Sequence, residues 1–301
     1  NIEAGSESLS ALTWRRFKRN KLAMLGLLMI ALATLISILG YLITPDQTPY
    51  ANDQKPELHI REPGFKSQLL LVKRNQPDED HSALHTMLFG KTIQEDAYTF
   101  ESYRFSGQDI LIEEYTGSHP NNGAIAGFNV ADVVYALDTE QPVVYDSLNK
   151  TLSFYEIGNP SPLTKPLDEL RENIKSRHLV EKTYPLGTDL LGRDLLSRLL
   201  IGTRISLSVG LISVLISIFL GIFLGALAGY FRGKVDLVIM WLINVIWSIP
   251  TLLLVIAITL VLGKGITQVF IAVGLTMWVD VARIVRGQIL GIREKEFVEA
   301  G

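Results

Sequence analysis

The sequence predicts an all-α polytopic membrane protein carrying an inserted α+β domain after its first span. Three observations predict it. Apolar residues form 48% of the 301-residue chain, the mean hydropathy is +0.26, and these residues are bunched rather than spread. They gather at about 22–43, 205–230, 235–262 and 266–292, each long enough to cross a hydrocarbon core of about 30 Å as a helix of about 20 residues. Between the first two stretches, residues 44–183 are polar and hold 22 of the 31 acidic residues.

Residues 1–21 form an N-terminal segment ending in Arg15, Arg16, Lys18, Arg19 and Lys21. The apolar run 22–43 that follows is too long for a signal-peptide core and lacks a small-x-small cleavage site, so it reads as a retained helix. Basic residues beside short loops stay on the cytoplasmic side. That rule puts residues 1–21 inside and sends the first span outward. Four spans then return Arg232, Lys234, Arg286, Arg293 and Lys295 to the inside, leaving only Lys264 in a short outer turn. Residues 44–183 are thereby expected outside the cytoplasm.

Within that region VADVVYAL (130–137) and KTLSFYEI (150–157) read as strands, being rich in β-branched and aromatic residues. PLDELRENIKSRHL (166–179) repeats Leu167, Leu170 and Ile174 at helical spacing behind Pro166. Residues 184–204 alternate Asp189 and Asp194 with Arg193, Arg198 and Arg204 among leucines. They are expected to form a polar-faced helix on the outer membrane surface rather than a catalytic carboxylate pair.

The spans carry their own signals. Ser213, Ser217, Gly221, Gly225 and Gly229 recur every fourth residue, a small-residue stripe that lets two helices approach closely in lipid. Pro250 in the third span cannot donate a backbone hydrogen bond and is expected to kink it. Asn244, Trp247 and Ser248 lie one turn before it, placed either to hydrogen-bond a neighbouring helix or to line a solute path. In the fourth span Asp280 and Arg283 are three apart, the spacing of an interfacial ion pair on one helix face.

Enzymatic signals are missing. No phosphate-binding G-x-x-x-x-G-K-[ST] loop and no G-x-S-x-G elbow occurs. His81 and His85 are four apart without a glutamate or third ligand, so they read as surface histidines. The chain has no cysteine, hence no disulfide and no thiolate metal site. No cofactor, metal or nucleic acid is implied, and uphill transport would need energy from a partner or an ion gradient.

Four segments together resemble a known family: WRRFKRNKLAMLGLLMI (14–30), PLGTDLLGRDLLSRLLIGTRISL (185–207), LGALAGYFRGKVD (224–236) and EFVEAG (296–301). They look like the C-type permease subunit of oligopeptide and dipeptide ATP-binding-cassette importers, over residues 11–43 and 184–301. The resemblance implies a type I importer permease fold of about six spans in a bacterial inner membrane. Its implied partners are a second homologous permease, two ATPase subunits and an extracytoplasmic solute-binding protein that delivers peptide. It also implies a cytoplasmic coupling loop, which Glu296, Phe297, Glu299, Ala300 and Gly301 would open. Gly301 stands where the family usually has a second alanine, and Val281 where it often has an aromatic residue. The chain begins on Asn1 and stops inside that loop, as a piece of a longer protein would, and its outer region is longer than the family implies. Two other classes compete. A gradient-driven carrier would place ionisable residues at the bilayer midplane, and an anchored receptor or hydrolase would do its work within 44–183.

Overall fold

The computed structural model describes residues 9–77, 82–117, 122–263 and 265–293. The chain divides into two compact units, residues 1–203 and 204–301.

The first unit opens on helix α1 (Leu9–Arg19), which Asn20 separates from helix α2 (Lys21–Ile43). Asn20 is extended, and its side-chain oxygen accepts the Ala23 N–H at 3.2 Å, so one residue both ends the first helix and caps the second. The 23 residues of α2 make about 34 Å of helix, enough to span. At its far end Tyr41 is buried, and its hydroxyl accepts the Tyr50 N–H at 3.0 Å.

The polar region mixes strands and helices: β1 (Phe65–Lys73), α3 (Ala83–Phe89), β2 (Glu95–Ser106), β3 (Asp109–Glu114), β4 (Ile125–Asn129), α4 (Val130–Val134), β5 (Val144–Asp146), β6 (Thr151–Phe154), β7 (Leu163–Pro166), α5 (Leu167–Asn173) and β8 (Leu179–Tyr184). Five strands form one antiparallel sheet in the order β4-β3-β2-β1-β8, and three form a second in the order β5-β6-β7. Leu70, Ile110 and Ile112 of the larger sheet pack with Leu152 and Phe154 of the smaller, and with Val130, Leu170 and Ile174. All eight are essentially fully buried, so one apolar core joins both sheets and both helices.

Two sequence readings here need correction. VADVVYAL is not a strand: α4 occupies its first five residues, and only Leu137 keeps a bridge, to Glu156. The Asn129 side chain accepts the Ala131 N–H at 3.0 Å while Val130, Ala131 and Val133 bury completely. A cap and burial outweigh β-propensity, which is weak outside its packing context. KTLSFYEI does contain β6, and 166–179 does start as helix α5, passing at Ile174 into a wider π-type turn.

The second correction concerns 184–204, which is not one surface helix. Tyr184 closes β8, residues 185–194 are turns, and helix α6 begins at Leu195. Gly192 has φ +70°, and a Cβ on it would lie 1.7 Å from the Lys55 carbonyl oxygen. The chain crosses itself there too closely for a helix, and only glycine tolerates both the dihedral and the crossing.

Helix α6 runs from Leu195 to Phe231 and enters the second unit at Arg204. The rest of that unit is α7 (Gly233–Ser248), α8 (Thr251–Leu262) and α9 (Ile266–Arg293). Helices α2, α6 and α9 are each long and apolar enough to cross a membrane, and α7 with α8 makes a fourth crossing only if the two are counted together. The expected kink at Pro250 is a far sharper break, with the axes of α7 and α8 at 99°. Proline disfavours helix in the residue before it and donates no N–H. Ile249 and Pro250 are both extended, and two such residues in succession redirect the chain rather than bend it.

Candidate functional site: the broken span and its neighbouring helix

Asn244, Trp247 and Ser248 lie at i, i+3 and i+4 on the last turns of α7, one face of that helix. All three are exposed, as is Pro250. The Ser248 hydroxyl donates to the Asn244 carbonyl at 2.7 Å, occupying an acceptor close to the break. On α9, the Arg283 guanidinium carbon sits 3.6 Å from the Trp247 ring centroid, the geometry of a strong cation–π contact. The expected Asp280–Arg283 ion pair is therefore corrected. Asp280 is exposed, and among the described residues no salt bridge joins the two. The guanidinium lies over the indole face of the neighbouring helix rather than turning to the exposed carboxylate one turn away on its own helix. The Arg283 Nε is buried and finds no hydrogen-bond acceptor among the described residues.

Further along the same seam, towards the start of α7, Arg286 of α9 donates from Nε and Nη2 to the two carboxylate oxygens of Asp236, at 2.5 and 2.6 Å. Sequence reasoning missed this pair, counting Arg286 only towards orientation. The signal was present: Asp236 is the only carboxylate between residues 205 and 262, and a lone acid in an apolar run calls for a cation.

The small-residue stripe faces α9 along its length. The Ser213 hydroxyl donates to the Phe270 carbonyl at 3.1 Å, and Ser217 is buried. A Cβ on Gly221 would lie 2.5 Å from Val281 Cβ, on Gly225 2.5 Å from the Ala282 carbonyl oxygen, and on Gly229 2.9 Å from Ile289 Cβ. Gly274 of α9 approaches Ile216 equally closely, at 2.7 Å, a reciprocal contact not singled out in the sequence. As numbers rise along α6, those of its partners rise along α9, so the two helices are parallel. The segment between them must return the chain by the length of the stripe, and the bent pair α7–α8 does so. Arg293 at the end of α9 donates to the Tyr230 carbonyl at 2.5 Å, which brings it to the same end of the unit as Arg232 and Lys234. The coupling-loop candidates Glu296, Phe297, Glu299, Ala300 and Gly301 lie outside the described residues.

In the acidic turn of the first unit both carboxylates are engaged in hydrogen bonds. Asp189 accepts from Arg193 Nε at 2.9 Å, from the Leu191 and Arg193 N–H groups at 2.9 and 3.0 Å, and from Arg198. Burial raises its pKa, but hydrogen bonds led by the Arg193 side chain outweigh that and hold it at about 2, against an ordinary 3.8. Asp194 is buried, receiving the Ser197 N–H and hydroxyl, while Ser197 Oγ accepts the Asp46 N–H at 3.0 Å. The carboxylates pin the start of α6 to the segment that follows α2. Because the folded pKa is depressed, the stabilisation is fully present above pH 3.8 and disappears as pH falls through 2. The difference corresponds to about 2 kcal/mol. We expect Asp189→Asn to lower stability by about that amount at pH 7 and by little at pH 2, measured by melting the solubilised protein across that range. No group of three potential metal ligands exists among the described residues; His85 packs on Phe89 with ring centroids 5.1 Å apart, and His81 lies outside them.

Comparison with known proteins meets the chain at both ends. Residues 8–60 match the N-terminal TM domain of oligopeptide transport permease C. Residues 221–301 match the binding-protein-dependent transport system inner membrane component. The chain is 39% identical over 140 residues to the dipeptide transport system permease protein of Bacillus subtilis, covering 46% of this chain and 44% of that one. It is 50% identical over 121 residues to the oligopeptide transport system permease protein of Escherichia coli K12, covering 40% of each. With the glutathione transport system permease protein of Pectobacterium atrosepticum it shares 41% over 133 residues, 44% of this chain and 42% of that one. The chain thus spans less than half the length of the curated relatives it matches. Its homologues are inner-membrane permease components of peptide transport systems.

Proposed function

We propose that the chain is a transmembrane permease subunit of an ATP-driven importer of di- and oligopeptides, forming half of the translocation path. The observation that carries this reading is the placement of the two matches. Residues 8–60 take in the first span, and 221–301 take in the broken span, α9 and the stretch holding Glu299. In this reading a second homologous permease completes the path, two ATPase subunits dock beneath it, and a solute-binding protein delivers peptide from outside. The N-terminus and the end carrying Arg232, Lys234 and Arg293 face the cytoplasm. Parallel α6 and α9 support that orientation, since one net crossing by α7 and α8 is what alternation requires. Residues 44–183 then form an extracytoplasmic α+β domain that meets the binding protein or a neighbouring subunit. Asn244, Trp247, Ser248 and Pro250 face the solute path, and the Gly221–Gly229 stripe is the close contact along which α6 and α9 transmit movement.

One observation favours a second reading. Helices broken within the membrane also build the binding sites of gradient-driven carriers, and α7–α8 is such a break. Purifying the full-length protein gently from its native membrane, followed by mass spectrometry of what remains bound, separates the two. The importer reading expects a second permease and two ATPase chains; a protein that purifies alone in mild detergent favours the carrier.

A further inference from the structure

Helix α1 is built differently from every span that follows. At 3.6 residues per turn, Arg15, Arg16, Lys18 and Arg19 fall within about 160° of its circumference, and Trp14 and Phe17 lie in the other half. The two rings stack, with centroids 5.6 Å apart and planes 7° from parallel, and Trp14 remains 49% exposed. Lys18 Nζ stands 5.2 Å from the Trp14 ring centroid. No acidic residue occurs anywhere in residues 9–45, so Arg16, Lys18 and Arg19 have no carboxylate neighbour on α1 or α2.

Position is fixed by the chain. One residue, Asn20, separates α1 from α2, and from Leu22 to Ile43 α2 contains no charged residue. The last turn of α1 is therefore held where the hydrocarbon core begins. The 11 residues of α1 extend only about 16 Å, so its cations cannot leave the neighbourhood of the headgroups. An exposed indole stacked on a half-buried Phe17, on the other half of the helix from its cations and held at that depth, is the arrangement of a helix lying in the membrane interface. An ordinary solvated face would mix both signs of charge and would not carry an exposed indole on its reverse.

We propose that α1 is a binding surface for anionic phospholipid headgroups in the leaflet at the N-terminal end of the first span. Arg16, Lys18 and Arg19 receive the phosphodiesters, and the Trp14–Phe17 pair seats among the upper acyl carbons. This role lies beyond the transport reading and does not depend on it: a chain that imports nothing would still show it.

The test uses the full chain in nanodiscs that mix phosphatidylethanolamine with phosphatidylglycerol. Native mass spectrometry reads the enrichment of retained phosphatidylglycerol over phosphatidylethanolamine. Each of Arg16→Gln, Lys18→Gln and Arg19→Gln is expected to lower that enrichment roughly fivefold, the weight of one cation at an anionic surface. A variant carrying Arg16→Lys and Arg19→Lys is expected to retain it. Unchanged enrichment in the triple glutamine variant overturns the proposal. So does displacement of the lipid by inorganic phosphate at matching concentration, which would make the site one for a free anion. If the triple variant does not reach the membrane, a second measurement decides. The chain has no cysteine, so Thr13→Cys accepts a single polarity-sensitive dye on the aromatic half of α1. Its emission is expected to shift to the blue when phosphatidylglycerol is added to phosphatidylethanolamine nanodiscs, and an emission blind to lipid charge overturns the proposal.

Discussion

Replacing Gly225 with leucine is expected to separate α6 from α9 and leave a protein that melts far below the native one or does not accumulate. The first added carbon already meets the Ala282 carbonyl oxygen at 2.5 Å, and the Ala282 Cα and Val285 Cβ at 3.0 Å. Two of these neighbours are backbone atoms of a helix, which cannot swing aside as the end of a flexible side chain can. Gly225→Ala is therefore expected to cost about 1–3 kcal/mol, in the range of overpacked cores, and leucine more. In lipid no hydrophobic effect drives helices together, so the close contact permitted by the stripe is the main attraction that the substitution removes. Gly287→Leu on α9 is the control, because a Cβ there meets nothing within 4 Å. Thermal melting of the solubilised proteins measures the difference, and equal melting of Gly225→Leu and the native chain would show that the stripe is not held against α9.

The second large effect is expected at Glu299. If the closing residues form a coupling element, a Glu299→Lys substitution reverses charge where the ATPase would dock while leaving every span contact described above untouched. Transmission needs a rigid piece with two packed arrangements, and α9 supplies the root. It is 28 residues long, seated along α6 by the stripe, tied to α7 by the Arg286–Asp236 pair and by Arg283 on Trp247. Displacing its far end would move all of these together. Coupling between sites is commonly worth about 1–3 kcal/mol, so uptake is expected to fall roughly tenfold or more in Glu299→Lys without loss of folding.

How far the sequence could be read depended on what each residue needed to know. Long apolar helices were legible because bilayer thickness imposes a length on an apolar run: α2 and α9 fall within a residue or two of 22–43 and 266–292, whereas α6 starts at Leu195, well before the expected 205. The stripe was legible as a period, though not its partner, since Gly225 says only that something comes close. The failures share a cause. VADVVYAL has strand composition, yet Asn129 caps it and the core claims four of its residues. Asp280 and Arg283 have ion-pair spacing, yet Trp247 comes from another helix and takes the arginine. Asp189 and Arg193 suggested a helix face, while the crossing of Gly192 over Lys55 made the segment a set of turns. In each case the deciding contact lay more than thirty residues away or in a local cap, where periodicity carries no information. Pro250 marked the break correctly but not its size, because the angle follows from two extended residues rather than from proline alone.

The most direct test of the account pairs two readings on one preparation: ATP hydrolysis and ATP-driven peptide uptake in proteoliposomes, for the native full-length protein and Glu299→Lys with the same permease, ATPase and binding-protein partners. The account predicts that native vesicles accumulate peptide only with ATP, while the variant assembles, hydrolyses ATP without matching uptake, and melts like the native protein. Equal uptake and equal stimulation of hydrolysis by both would contradict the coupling role. Accumulation by the native chain alone, driven by an ion gradient without ATP, would contradict the importer reading itself.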